Sequence, residues 1–144
     1  MFDTLEVHAR AQERAGDRMS AKIKKVFSEE DQANARFLML ALDPLYQDGP
    51  NISFHQLMAF LRVVADEGKS VNEYAADAAL PSSSMTRNLL EIGDRARNGE
   101  PGRQWITQIR DLGDLRRLLA QGTPKGKALM SRINNAIKAR RVVE

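Results

Sequence analysis

The chain has 144 residues and a mass of 16.1 kDa, the size of one ordinary domain and too small for two large independent cores. Hydrophobic residues make up 42% and charged residues 28%, so a folded chain is expected rather than a wholly disordered or fibrous one, and the absence of cysteine excludes a disulfide framework, a thiolate metal site and a cysteine nucleophile. The formal net charge of +3 hides an asymmetry, −2 over residues 1–69 and +5 over residues 70–144, and a basic second half suits a polyanion, nucleic acid and acidic protein alike.

The chain starts Met1-Phe2-Asp3-Thr4-Leu5-Glu6, with neither a basic start nor an apolar core, so no secretory signal is expected and the cytoplasm is the expected compartment. A first helix is predicted over 5–27, where Leu5, Ala9, Ala15, Met19, Ile23 and Val26 form an interrupted stripe around Gly16. Ser28 followed by Glu29, Glu30 and Asp31 caps a second helix that ends at Asp43-Pro44. Its run Phe37-Leu38-Met39-Leu40-Ala41-Leu42 is the longest apolar stretch, far short of the roughly 20 residues that cross a membrane.

Asp48-Gly49-Pro50-Asn51 is a cluster of turn formers and reads as a connection between an N-terminal arm, residues 1–51, and a main domain, residues 52–122. Ser53-Phe54-His55-Gln56 fits a capping box, and Phe54, Leu57, Met58, Leu61 and Val64 follow on one helical face to about Asp66. Gly68 stops that helix. Ser70-Val71-Asn72-Glu73 opens another with a second box, burying Val71, Tyr74, Ala75 and Ala78.

Leu80-Pro81 ends this short helix, and Ser82 is placed to cap a third that runs to Gly93. Two short helices across a tight turn, the first rich in alanine, have the spacing of a helix-turn-helix. Gly93 to Arg103 reads as a mobile loop whose Arg95, Arg97 and Arg103 are candidates for added phosphate contacts. Two strands, 104–110 and 116–121, bracket the turn residues 111–115 as a hairpin. Trp105, at the start of the first strand, is expected in the core. Thr123-Pro124 supplies an N-cap and a proline at the first helical position of a C-terminal helix, residues 123–144. Its stripe of Leu129, Met130, Ile133, Ala136 and Ile137 requires a partner.

The third short helix can be read as a DNA-contacting element from its residues alone. Met85, Leu89 and Ile92 share one face, and Ser83, Arg87, Leu90 and Glu91 the opposite one, with Ser84 and Thr86 at its flanks. Serine hydroxyls and free N–H groups at a helix start suit phosphate oxygens or base edges, and Arg87 is long enough to fork onto a guanine. Ser82, Ser83, Ser84, Thr86, Arg87 and the core-boundary Asn88 are the candidate contacts, Arg87 the one expected to read sequence. Leu90 and Glu91 do not suit DNA.

The order helix, helix, turn, helix, β-hairpin, helix is that of a winged helix-turn-helix. Ser70-Val71-Asn72-Glu73-Tyr74-Ala75, Ser84-Met85-Thr86-Arg87, Asp114-Leu115-Arg116-Arg117 and Thr123-Pro124-Lys125-Gly126-Lys127-Ala128-Leu129 resemble the MarR family of regulators over roughly residues 52–138. The last two motifs are the most specific. The resemblance implies a mainly α protein, a winged helix-turn-helix with a small β-hairpin wing and with N- and C-terminal dimerisation helices. It implies a homodimeric repressor whose recognition helix, residues 82–92, enters the major groove of double-stranded DNA at a palindromic operator. The wing, residues 104–121, would touch the flanking backbone or minor groove, and relatives respond to small-molecule effectors.

Within the wing, Arg110, Arg116 and Arg117 are the expected DNA contacts. Asp114 either pins the Arg116 guanidinium and stiffens the wing, as the family analogy has it, or is an ordinary turn aspartate. His8 and His55 lack a second histidine or carboxylate at the spacing of a helical zinc site and read as surface or cap-adjacent residues. No nucleotide-binding or hydrolase motif occurs, so no enzyme, cofactor or metal is expected. Two alternatives share the scaffold: a protein–protein interaction factor using the acidic arm and an exposed Leu90, and a non-specific architectural DNA binder.

Overall fold

The structure is a computed structural model that describes residues 23–49, 51–95 and 99–143. Two compact units divide between Arg36 and Phe37.

In the first unit, Ile23 to Val26 have no regular structure and Ser28 caps the helix α1, Glu29–Asp48. The Asp31 N–H donates to Ser28 Oγ at 3.1 Å and the Ser28 N–H to Asp31 Oδ2 at 2.9 Å. A cap residue must leave helical geometry to make this exchange, so α1 starts at Glu29; residues 23–27, the end of the helix predicted over 5–27, are not helical. The rest of the helix predicted over 5–27 lies outside the described residues.

In the second unit, α1 continues through Pro44 to Asp48 instead of ending at Asp43. Proline removes one helical hydrogen bond, but Ala41, Pro44 and Leu45 are buried, and that packing carries the helix past the break. α2, Phe54–Ala65, is followed by α3, Val71–Ala78, and α4, Ser82–Ile92. Ser53 accepts from the Gln56 N–H at 3.1 Å, yet the Gln56 side chain does not complete the box; it donates to Glu91 at 2.7 Å and accepts from Arg103 Nε at 3.0 Å. At Ser70 both halves of the box are present.

α4 packs against both α2 and α3. Ala79, left-handed at φ 54°, makes the turn before it. Met85, Leu89 and Ile92 of α4 enter a core with Phe60, Val63, Tyr74 and Trp105. The Trp105 ring lies 5.1 Å from that of Phe60, and its indole N–H donates to Asp48 Oδ2 at 2.7 Å, so a polar handle is satisfied inside an apolar site. The core placement expected for Trp105 holds.

The strands β1, Ile106–Asp111, and β2, Asp114–Gly122, form an antiparallel hairpin turning on Leu112 and Gly113. Asp111 accepts from the Gly113 N–H at 2.9 Å, closing a turn tighter than the one expected over residues 111–115. Pairing is regular from Ile106↔Gly122 to Arg110↔Leu118, then steps to Asp111↔Asp114. Leu115, Arg116 and Arg117 are therefore left in a bulge. The segment between α2 and α3 adds a short third edge: Gly68 N–H donates to Ala120 O at 2.9 Å and Ala120 N–H to Lys69 O at 3.0 Å.

The segment after α4 folds back on itself where it is described. Arg95 bridges Pro101, and the N–H groups of Gly102 and Arg103 donate to Asp94 and Glu91 carbonyls. The last helix, α5, Pro124–Val143, starts as expected: Thr123 Oγ1 accepts from the Gly126 N–H at 3.0 Å and donates to Gln104 O at 2.6 Å. A Cβ on Gly126 would fall 2.0 Å from the Trp105 carbonyl oxygen, so only glycine fits there. Among the described residues no helix is long and apolar enough to cross a membrane.

Candidate nucleic-acid interface

The start of α4 differs from its expected form in one respect. Its N-cap is Pro81, not Ser82, and no side chain caps the helix. Ser82 opens the first turn, and its hydroxyl donates to Asn72 Oδ1 at 2.8 Å, tying α4 to α3. The backbone N–H groups of Ser82 and Ser83 thus start a helix with no side chain to satisfy them, the arrangement that favours an anion.

Ser83, Thr86 and Arg87 are exposed, Ser84 is half-buried, and Arg87 makes no side-chain hydrogen bond or ion pair among the described residues. Asn88 lies on the buried side at 8% exposure, which takes it off the outward face of the helix. Leu90 and Glu91 are half-buried, not open: the returning Gly102 and Arg103 lie over the end of α4, and Glu91 accepts from Gln56. The outward face of α4 therefore ends near Arg87, in its first turn and a half.

At the hairpin tip, Arg110 Nη1 reaches across to donate to Leu115 O at 2.8 Å. Asp114 Oδ1 accepts from the Arg116 backbone N–H at 3.2 Å, so it fixes the chain at Arg116 and not the guanidinium. The Arg116 side chain is exposed. Arg117 is engaged with Glu73 of α3, and lies 3.9 Å from Asp111. Glu73 is the same carboxylate that accepts from Ser70 Oγ at 3.1 Å, so one side chain closes the α3 cap and braces the hairpin. A depression of about 410 Å³ between α3, α4 and the hairpin is lined by Asn72, Thr86, Asp114, Arg116 and Arg117, among others.

No protein-family model and no curated protein matches the sequence. Solved structures do. A "probable transcriptional regulator" from Pseudomonas aeruginosa matches at a TM-score of 0.51 with 22% identity, over 76% of this chain and 75% of that one. A mutant form of S. aureus MepR, bound to an oligodeoxyribonucleotide, matches at 0.62 with 15% identity over 82% of each chain. Reduced AbfR, bound to DNA, matches at 0.52 with 17% identity over 92% of this chain and 83% of that one. The chain has a MarR-like winged-helix fold.

In the winged helix, β1 and β2 are the wing and α3 and α4 the helix-turn-helix. Ser83, Thr86 and Arg87 share the outward face of α4, and Thr86 shares a depression with Arg116 and Arg117 of the wing. Arg103 is withdrawn: it bonds Gln56 and sits 5.3 Å over the Trp105 ring. Arg95 is exposed, and His8 and Arg97 lie outside the described residues. Glu73 was legible as a cap but not as the wing's brace, because its partner Arg117 is distant in sequence and nothing local marks the pair. Among the described residues no group of three or more histidines and carboxylates could hold a metal ion.

Proposed function

We propose that this chain is a non-enzymatic transcriptional regulator of the MarR type, a homodimeric repressor that reads a palindromic operator in double-stranded DNA. The observation that carries it is the uncapped, serine-rich start of α4, with Arg87 exposed on it and without a side-chain partner among the described residues, and with the wing bulge of Arg116 and Arg117 across a depression shared with Thr86. Ser83, Thr86 and Arg87 enter the major groove, Arg87 reading a base, while Ser82 and Ser84 serve the backbone near the helix start. Arg116 meets the flanking backbone or minor groove; Arg110, Arg117 and Asp114 hold the wing in shape. The DNA carried by the MepR and AbfR structures supports the partner. A DNA target fits the cytoplasmic location expected from the sequence.

Dimerisation is supported by α1. Its segment in the second unit buries Ala41 and Leu45 but leaves Leu38, Met39, Leu40 and Tyr46 exposed, Met39 at 65%. A helix apolar on most of its circumference belongs in an interior, and a second copy supplies one, with residues 1–51 and 123–144 as the dimerisation segments around the DNA-binding domain 52–122. A cleft of about 310 Å³ lined by Val64, Trp105, Ile106, Lys127 and Met130, among others, is a seat for the small-molecule effector. The protein–protein alternative relied on an exposed Leu90 and on the arm of residues 1–51; of these, Leu90 is half-buried.

The test is discrimination between a duplex selected from a random pool and a scrambled one. The wild-type protein should favour the selected duplex by roughly 10³. Arg87→Ala should lose about 1–3 kcal/mol of that preference, roughly 5- to 150-fold, while keeping most of its affinity for scrambled DNA. An unchanged ratio removes Arg87 from sequence reading.

A further inference from the structure

The apolar stripe of α2 is wider than the core that it packs against. Leu57 and Leu61 join the core, while Phe54 in the first turn is 69% exposed, its ring edge-on to that of His55 at 6.4 Å between centroids. Phe54 stands at the wall of a pit of about 140 Å³ between α2, α3 and α4, with Met58, Ala59, Ala78, Leu80 and Met85 as its apolar lining. An apolar cavity of about 150 Å³ holds a benzene ring, so the pit admits one leucine or phenylalanine side chain from another molecule. The two methionines let the lining adapt to either shape.

Around the pit the chemistry is cationic. Arg62 and His55 line it, and it shares His55, Leu80 and Asn88 with a depression of about 350 Å³ that runs along the start of α4 to Ser83, Ser84 and Arg87. No carboxylate lines either one. The Arg62 and Arg87 guanidiniums have no partner among the described residues, whereas the neighbouring acids are occupied: Glu91 accepts from Gln56, and Asp66 lies 2.8 Å from the Lys69 ammonium. An apolar seat between two free guanidiniums matches an apolar side chain flanked by carboxylates. DNA supplies the charge without the anchor, since the one apolar group on its major-groove edges is the thymine methyl.

We propose that the pit and the depression together dock an acidic segment of a partner protein, one leucine or phenylalanine filling the pit while carboxylates on either side meet Arg62 and Arg87. The proposal rests on the DNA-binding reading above, because Ser83 and Arg87 serve both ligands. Segment and duplex therefore exclude each other, and the partner releases the regulator from its operator.

The test uses peptides recovered on the full chain from a random library displayed on phage, then made synthetically. They should carry a leucine or phenylalanine between acidic residues and should displace the selected duplex from the wild-type protein. Phe54→Ala and Arg62→Gln should each weaken peptide binding about tenfold, the scale of an interface anchor, and leave duplex affinity within about twofold, with thermal unfolding followed to show that each variant is folded. Recovered peptides without that pattern, or bound as tightly by both variants, overturn the docking site and leave the DNA-binding reading standing. Variants that lose duplex affinity in place of peptide affinity overturn it in favour of a DNA contact. Peptide and duplex held together on one chain overturn the exclusion. Wild-type protein that binds peptide and retains no duplex at low salt overturns the DNA-binding reading and the release together.

Discussion

Tyr74 shows how one buried side chain fixes the joint beneath the helix-turn-helix and the wing. Its hydroxyl donates to Asp66 O at 2.7 Å and accepts from the Lys69 N–H at 3.4 Å, closing the link between α2 and α3 on which the edge of the wing also rests. Burial pushes the phenol above its ordinary value. A group with a raised folded value contributes stability that is complete below its unfolded value, near pH 10 for tyrosine, and loses it as pH rises through the folded one. Lys69, raised by the hydrogen bonds that its ammonium donates to Asp66 and Asp77, acts in the same direction but is solvent-screened. Stability to urea should therefore fall as the pH is raised from 8 toward 11. Tyr74→Phe should lose about 1 kcal/mol at neutral pH through the missing hydrogen bond and should show a shallower alkaline decline. An identical decline in the variant would contradict the assignment to Tyr74. Sequence marked Tyr74 as core by helical spacing; its hydroxyl's partner was not legible, since the α2–α3 link adopts its path only when the wing edge pairs with it.

At the scale of elements, local signals were read well and long-range ones were not. Ser28, Ser53, Ser70 and Thr123 each cap the helix that their neighbours announce, because a cap is decided within four residues. Pro44 broke the rule because packing by Leu45 outweighed a missing hydrogen bond. The wing register was out of reach: the bulge at Leu115 to Arg117 depends on cross-strand pairing and on the Glu73 carboxylate, not on any adjacent residue. That bulge divides two neighbouring arginines by role. Arg116→Ala should weaken binding to all duplexes and lower the slope of log affinity against log salt by about 1. Glu73→Gln, which releases Arg117 from an anion, should leave that slope unlowered while loosening the wing, seen as faster amide exchange at Arg116 to Leu118. Equal effects of the two substitutions on the salt slope would contradict the division. Of the candidate contacts, Ser83, Thr86 and Arg87 were legible from helical phase alone. The inward turn of Asn88 follows from the same phase, since it neighbours Met85 and Leu89 on that face.

For the molecule as a whole, the account rests on symmetry. One copy presents α4, its flanking depressions and a wing, and leaves the apolar residues of α1 uncovered. Two copies joined by a two-fold axis would cover them and set two α4 helices at the spacing of one helical turn of DNA. Both consequences appear together in a single experiment, sequencing the duplexes that the full chain recovers from a random pool. The account predicts a palindromic consensus with half-sites about 10 bp apart, centre to centre. A recovered pool without a consensus, or with one that lacks two-fold symmetry, would contradict it.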